Sequence, residues 1–392
     1  MARGVHRVLI AGGGIGGLSA ALALRRRGID AAVLESSTQL RDGGAGLHIW
    51  SNGMIGLDRL GVADEVLRTA PAQEVCEFRT SRGDLLGAWP VGAFVERYGQ
   101  PTVAVGRSEL HRVLREALGD AEVRTGAEVV GYHQDSTGVV VELADGTSER
   151  GDVLIGADGV HSAVRRTLLG ADPPRFTGYI AWRGQASVGP ETVSPGTFCA
   201  YFGHGTRFTY YDIAPGVVYW MSVANGAPGQ QDGPGVIDML RRRHHDWPGP
   251  VRELIENTEE SGILRHDVID RAPVDTWGEG RVTMLGDAAH PITFNIGQGA
   301  CQAIEDALVL AEKLDGALDP ITALRSYEAE RIPRTAGMQR VAWRIGRMGA
   351  LENPVAIWLR EKFMKAVWNR VAFRVAEKDQ VAYATRWRVP AG

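Results

Sequence analysis

Little in this chain of 392 residues points outside the cell, to a polyanion or into a bilayer. Cys76, Cys199 and Cys301 are odd in number, far apart and without metal-ligand spacing, which argues against a disulfide scaffold or zinc and for a reducing, cytoplasmic setting. Excess positive charge is also lacking. The net charge is −4 and no long block of like charge occurs, only short basic runs such as Arg241 to His245, so no nucleic-acid partner is expected. The N-terminal run "VLIAGGGIGGLSAALAL" carries glycines at nucleotide-loop spacing and no cleavage-like segment follows it. No other uninterrupted apolar stretch is long enough to span a bilayer, so integral membrane association is not expected. Internal repeats and low-complexity segments are absent too. What remains, 44% hydrophobic and 23% charged, is material for two globular domains sharing a sizeable core.

The start of the chain, "HRVLIAGGGIGGLSAALALRRRGIDAAVLES", reads as strand, glycine turn, helix and second strand. Gly12 permits the tight turn, Gly14 lets backbone approach a pyrophosphate, and Gly17 lets helix and strand pack closely. Glu35 then ends the second strand, where a ribose hydroxyl would lie. "VGRSELHRVLREALG" restores an amphipathic helix, and the strand-like "GAEVVGYHQDSTGVVVELADGTSERGDVLIGADG" turns at Asp145-Gly146. From Phe176 to about Ile269 strand-like runs dominate, with one helical stretch around Ile237 to Leu254. Helices follow after Ala303, at Tyr327 to Arg344, and after Pro354. In the last, Leu359, Phe363, Val367, Val371 and Val375 fall four apart on one face. Core packing is the first reading of such a stripe; a homodimer face or a membrane-surface helix are the others, because cations flank it.

A second glycine-rich segment, "LGDAAHPITFNIGQGACQAIEDA", lies at Leu285 to Ala307. It lacks three-glycine spacing, and its acid follows the strand directly, so it suits another part of the first cofactor better than a second dinucleotide. Asp287 could accept hydrogen bonds from ribityl hydroxyls. The N–H groups from Gly297 through Gly299 and Ala300, at a helix start, would put positive partial charge near a flavin's pyrimidine ring. His290 reads as a structural hydrogen-bonding residue.

Four ordered motifs, the glycine loop with Glu35, "GRSELHRVL" with Arg107, "GADGVHSAVR" with Asp158, and the Asp287 segment with "GQGA", resemble the single-component FAD-dependent aromatic hydroxylases, flavoprotein monooxygenases of the para-hydroxybenzoate hydroxylase type. The likeness runs to about Arg344. It implies an α/β fold: a Rossmann-like FAD-binding domain of the GR2 type with an inserted β-rich substrate domain and C-terminal helices. The expected boundaries are 1–75, 101–175 and 275–345 for the FAD domain, 76–100 and 176–274 for the β-rich domain, and 346–392 for the helical end. It also implies noncovalent FAD, NADH or NADPH as transient reductant, dioxygen, a flavin hydroperoxide and transfer of one oxygen atom to an electron-rich ring. By the same resemblance Ile15, Ser36, His48, Arg107 and the backbone near Val129 line FAD, while the segment around Asp158 serves both FAD and NAD(P)H.

In "GTRFTYYDIAPGVVYW", read as a hairpin, Arg207, Thr209 and Tyr211 share one face. Arg207 and Tyr219 resemble the substrate-site pair of the urate-hydroxylating branch: an arginine for an anionic group, a tyrosine for an oxygen. Tyr211 joins them in the expected pocket. Two departures weaken urate itself. Asn295 stands where that branch has Asp, and Phe294 where the family commonly has Pro; Asn cannot serve as the same base, and Phe reshapes the pocket. Two alternatives remain at this level, an FAD-dependent epoxidase of an alkene or terpenoid and a non-catalytic flavin-binding redox sensor.

Overall fold

The computed structural model describes residues 5–38 and 45–387; the outermost parts of the expected domains, 1–4 and 388–392, lie outside them. Burial of the first apolar run seeds a five-stranded parallel sheet in the order Val282–Met284, Val153–Gly156, Arg7–Ala11, Asp30–Glu35, Val123–Thr125. Its central strands are apolar almost throughout, as a sheet covered on both faces requires. The helix Ile15–Arg25 follows the first strand. A Cβ on Gly17 would come within 1.9 Å of the Gly12 carbonyl oxygen, and Gly12 itself adopts φ +100°, so both positions demand glycine. Helix Gly299–Leu314 packs beside Ile15–Arg25 and brings the late glycine segment to the same end of the sheet.

The second sheet has seven strands, in the order Leu264–Asp270, Arg175–Ser187, Val217–Asn225, Thr206–Ala214, Thr197–Phe202, Val75–Thr80, Leu85–Trp89. The hairpin registers Arg207 against Val223, Thr209 against Met221 and Tyr211 against Tyr219. Side chains at every second position share a face, so Arg207, Thr209, Tyr211, Tyr219 and Met221 stand together. Asp145-Gly146 does turn between two antiparallel strands, Val139–Leu143 and Ser148–Gly151. The helical stretch expected around Ile237 to Leu254 is instead two helices, Val236–Arg243 and Gly249–Glu256. Pro248 caps the second and restricts the residue before it.

The C-terminal stripe is the larger correction to the core-packing reading. Leu359, Phe363, Val371 and Val375 are exposed, and Val367 is half-buried. The three cysteines are buried and free, as expected of small core side chains.

Candidate active site

A cavity of about 1620 Å³ runs between the two sheets and under the C-terminal helix. Single small-molecule sites hold roughly 300 to 1,000 Å³, so this one has room for a long cofactor with a substrate beside it.

At the first end stand Gly14, Ile15 and Gly16, the opening turn of helix Ile15–Arg25. That helix has no side-chain cap and no acid in its first turn, and a Cβ built on Gly14 meets nothing within 4 Å. Unsatisfied N–H groups facing open space form an anion cradle. Gly12 and Gly17 shape the turn without lining the cavity. Glu35 also stands back from the lining: its Oε2 accepts from the Gly13 N–H at 2.7 Å, and its Oε1 from the Ser37 N–H at 2.8 Å and the Ser36 hydroxyl at 3.3 Å. Half-burial opposes the charge, but the N–H groups of Ser37 and Gly13 hold the carboxyl below its ordinary range. With about four acceptor positions on a carboxylate, one remains for a ribose. The backbone before Val129 runs alongside, Ala127 N–H bonding the Glu35 carbonyl at 2.8 Å; Val129 itself is a buried strand residue away from the lining.

Within the segment expected to serve the cofactors, Asp158 itself does not line the cavity. Its Oδ2 accepts from the Ala163 and Val164 N–H groups at 2.7 and 3.2 Å, capping helix Ala163–Leu169, while Ala157, Gly159, Val160 and His161 line the cavity. Burial raises its pKa, and its other oxygen is buried without a partner among the described residues.

Mid-cavity, Asp287 lies deep in the protein with its surface open to the cavity. Burial raises its pKa, with His290 and Arg107 pulling the other way; Arg107 lines the same space. Gly297, Gly299 and Ala300 line the cavity at the uncapped start of helix Gly299–Leu314, whose first turn carries no acid. The donor set at both helix starts, with an acid between them, suits the chemistry of FAD: N–H groups for a pyrophosphate and for a ring that gains negative charge, and a carboxylate for hydroxyls.

The loop is held from below by charges that the sequence reading did not single out. Arg331 is wholly buried and bonds Glu305 and Asp306 at 2.7 Å each. Arg334 adds a fork to Glu305 at 2.7 and 2.9 Å. Asp306 accepts from His290 at 2.6 Å and from the Gly286 N–H at 3.0 Å, so His290 has the structural role expected of it. Burial works against its charge, yet His290 and Arg331 hold the Asp306 carboxyl down at about 2. Buried Gln298, the Gln of "GQGA", pairs with Asn52, Gln302 and Gln380. The signal was present in "AIEDALVLAEKL": the adjacent acids Glu305 and Asp306 inside an apolar helix need buried cations.

At the far end Arg207 is buried. Its Nη1 donates to Asn295 Oδ1 at 2.5 Å, and its guanidinium lies 4.9 Å from the Tyr179 ring centre and 5.7 Å from that of Phe294. Nη2 is buried with no hydrogen-bond partner among the described residues. Burial lowers its pKa, Tyr179 countering and Arg360 adding, and it remains a cation. Asn295 Nδ2 is itself fixed by Tyr179, Thr293 and the Ala342 carbonyl at 2.8 to 3.1 Å. Tyr211 and Tyr219 stand 5.1 Å apart, centre to centre, and burial pushes both phenols above their ordinary value, so they stay neutral donors. His48 packs among Trp50, Phe198 and Tyr211; burial lowers its pKa to about 3, so it is neutral. Arg183, Met221 and His266 also line this end and were not anticipated; only the strand pairing brings them there.

Replacing Asp287 by Ala is expected to weaken FAD by about 1.5 to 3 kcal/mol, roughly ten- to a hundredfold in Kd, through lost charge-assisted hydrogen bonds. Fluorescence titration of the apoprotein measures it, with circular dichroism to show an unchanged fold. An unaltered Kd would remove Asp287 from the cofactor site.

Known proteins resemble this chain over most of its length. Residues 6–202 and 253–342 match the FAD binding domain family. An aurachin C monooxygenase/isomerase of Stigmatella aurantiaca is 40% identical over 91% of this chain and 93% of its own. A 3-amino-4-hydroxybenzoate 2-monooxygenase, PtnB3 of Streptomyces platensis, is 39% identical over 85% and 86%. The crystal structure of Klebsiella pneumoniae HpxO complexed with FAD and uric acid superposes with a TM-score of 0.89 at 29% identity, covering 99% of this chain and 98% of that one.

Proposed function

Because the chain belongs to the FAD binding domain family and is an FAD-dependent monooxygenase, we propose that it hydroxylates a small aromatic or heteroaromatic molecule whose anionic group pairs with Arg207. One observation carries this reading: Arg207 is a buried cation in the cavity wall with Nη2 unpaired among the described residues. A buried charge with neutral partners alone is costly, and an incoming carboxylate or ring oxyanion relieves that cost. A hydrocarbon polyene would leave it in place, so the wall favours hydroxylation over alkene epoxidation. Intact cradle, acid and loop N–H groups likewise favour turnover over a purely sensing role.

FAD, when bound, supplies the redox chemistry, accepting electrons from NAD(P)H and activating dioxygen. The chain's own groups bind and orient. The N–H groups at Gly14 to Gly16 would hold the pyrophosphate, Asp287 the ribityl hydroxyls, and those of Gly297 to Ala300 the negative charge of the reduced ring. Arg207, steadied by Asn295, would fix the substrate's anion, and Tyr211 or Tyr219 would donate to a ring oxygen. Phe294, Phe198 and Trp50 add apolar walls that exclude water from the reacting atoms.

The test is NAD(P)H oxidation by the yellow holoenzyme across aromatic carboxylates, phenols, heteroaromatic oxyanions and neutral polyenes, with product mass and peroxide followed together. Many-fold stimulation by an anionic ring compound, giving product with one added oxygen and little peroxide, is the expected result. A polyene epoxide as the coupled product would overturn the reading.

A further inference from the structure

The C-terminal helix carries its apolar stripe on the outside. From Pro354 to Trp387 the chain stays helical, with α turns over Pro354–Phe363 and Phe373–Ala376 and wider π turns over Met364–Ala372 and Glu377–Val381. A repeat of four drifts one way on an α-helix of about 3.6 residues per turn and drifts back on a π turn. The alternation therefore keeps Val355, Leu359, Phe363, Val371 and Val375 along one line. All five are exposed, as is Trp358 beside them. The opposite face anchors the helix to the body: Trp368 stacks on Trp89 at 5.5 Å and Phe373 on Phe94 at 5.6 Å, centre to centre.

Cations flank the stripe. Pro354 to Lys378 holds six Lys or Arg against two Glu, in a chain whose net charge is −4. Both carboxylates have arginine neighbours, Glu377 with Arg97 at 2.5 Å and Glu361 with Arg360 at 3.8 Å. Lys362, Lys365, Arg374 and Lys378 are exposed. Val375 belongs both to the outer stripe and to the cavity lining, and Lys378 lines the cavity next to it.

We propose that this helix docks the protein on an anionic lipid surface, the apolar line entering the interface and the flanking cations meeting lipid headgroups. A second copy of the chain paired two-fold on this face would bring the same cations together, whereas an anionic surface neutralises them. Attachment is peripheral, since no helix among the described residues is long and apolar enough to cross a membrane. Val375, at the cavity's edge, then stands next to the lipid surface. The docking does not rest on the substrate's identity.

The test is sedimentation of the full FAD-loaded chain with vesicles of phosphatidylglycerol and phosphatidylcholine, and of phosphatidylcholine alone. Binding to the anionic vesicles, weakened about tenfold by high salt, is expected. Leu359→Ser with Phe363→Ser, and separately Lys362→Glu with Lys365→Glu, should each lose at least about tenfold in partition while keeping the flavin spectrum and melting temperature. No sedimentation of the wild type with anionic vesicles overturns the proposal, as does undiminished binding by both pairs. A concentration-dependent dimer that the Leu359/Phe363 pair abolishes, without vesicle binding, overturns it in favour of a second copy.

Discussion

Arg331→Met should destabilise the fold by about 3 kcal/mol, the low end for breaking a buried ion pair, because it takes the shared cation from two wholly buried carboxylates. Glu305 and Asp306 both lie at 0% exposure against Arg331, with bonds of 2.7 Å. Glu305 would keep Arg334 and Asp306 would keep His290, so the loss is partial neutralisation rather than complete isolation. Adding Glu305→Gln and Asp306→Asn to Arg331→Met should recover part of the stability, since burying neutral amides costs less than burying unpaired charge. Urea unfolding followed by fluorescence and circular dichroism measures each variant. A single Arg331→Met variant within about 0.5 kcal/mol of the wild type would mean that the network adds nothing beyond packing.

The same network sets an acid limit. Asp306 has its folded pKa depressed from 3.8 to about 2, so its contribution is fully present above the unfolded value and is lost as pH falls through about 2. Gln298 and the Gly286 N–H hang on this network. Acid loosening should therefore begin around the loop from Gly286 to Ala300.

The parallel sheet was legible because its signals are local. Continuous apolar runs, Gly12 and Gly17 at sterically forced positions, and Glu35 at a strand end are all read within a short window. The hairpin face of Arg207, Thr209 and Tyr211 follows from period two alone, and the structure keeps it. What was not legible depends on long-range partners. Asp158 carries the right residue type, yet one of its carboxylate oxygens is held by the start of the following helix. Arg331 lies 26 positions from Glu305, and no period in either helix announces the pairing. The C-terminal stripe shows the opposite failure: a four-residue apolar repeat reports one face, and only the fold decides whether that face turns in or out.

The second large effect is on substrate binding. If Arg207 receives an anionic group in this water-poor wall, Arg207→Ala should cost on the order of 2 to 5 kcal/mol of binding, much of it from leaving the substrate's charge unpaired. FAD affinity should be spared, because the cofactor's proposed contacts lie at Gly14, Asp287 and Gly297 to Ala300. Arg207→Lys should recover only part of the loss, since lysine restores charge without the fork that meets Asn295 and the substrate together. Asn295→Ala supplies the complementary arm: it keeps the cation but frees Nη1, so binding should weaken less than in Arg207→Ala while coupling of NAD(P)H oxidation to product falls. Substrate Kd by flavin difference spectra, with peroxide release followed beside product, distinguishes these cases. Wild-type affinity and coupling in Arg207→Ala would move specificity away from the hairpin, toward Phe294 and the tyrosines. The Asn295 arm would then report only on loop packing, because its Nδ2 bonds to Tyr179, Thr293 and the Ala342 carbonyl do not depend on Arg207.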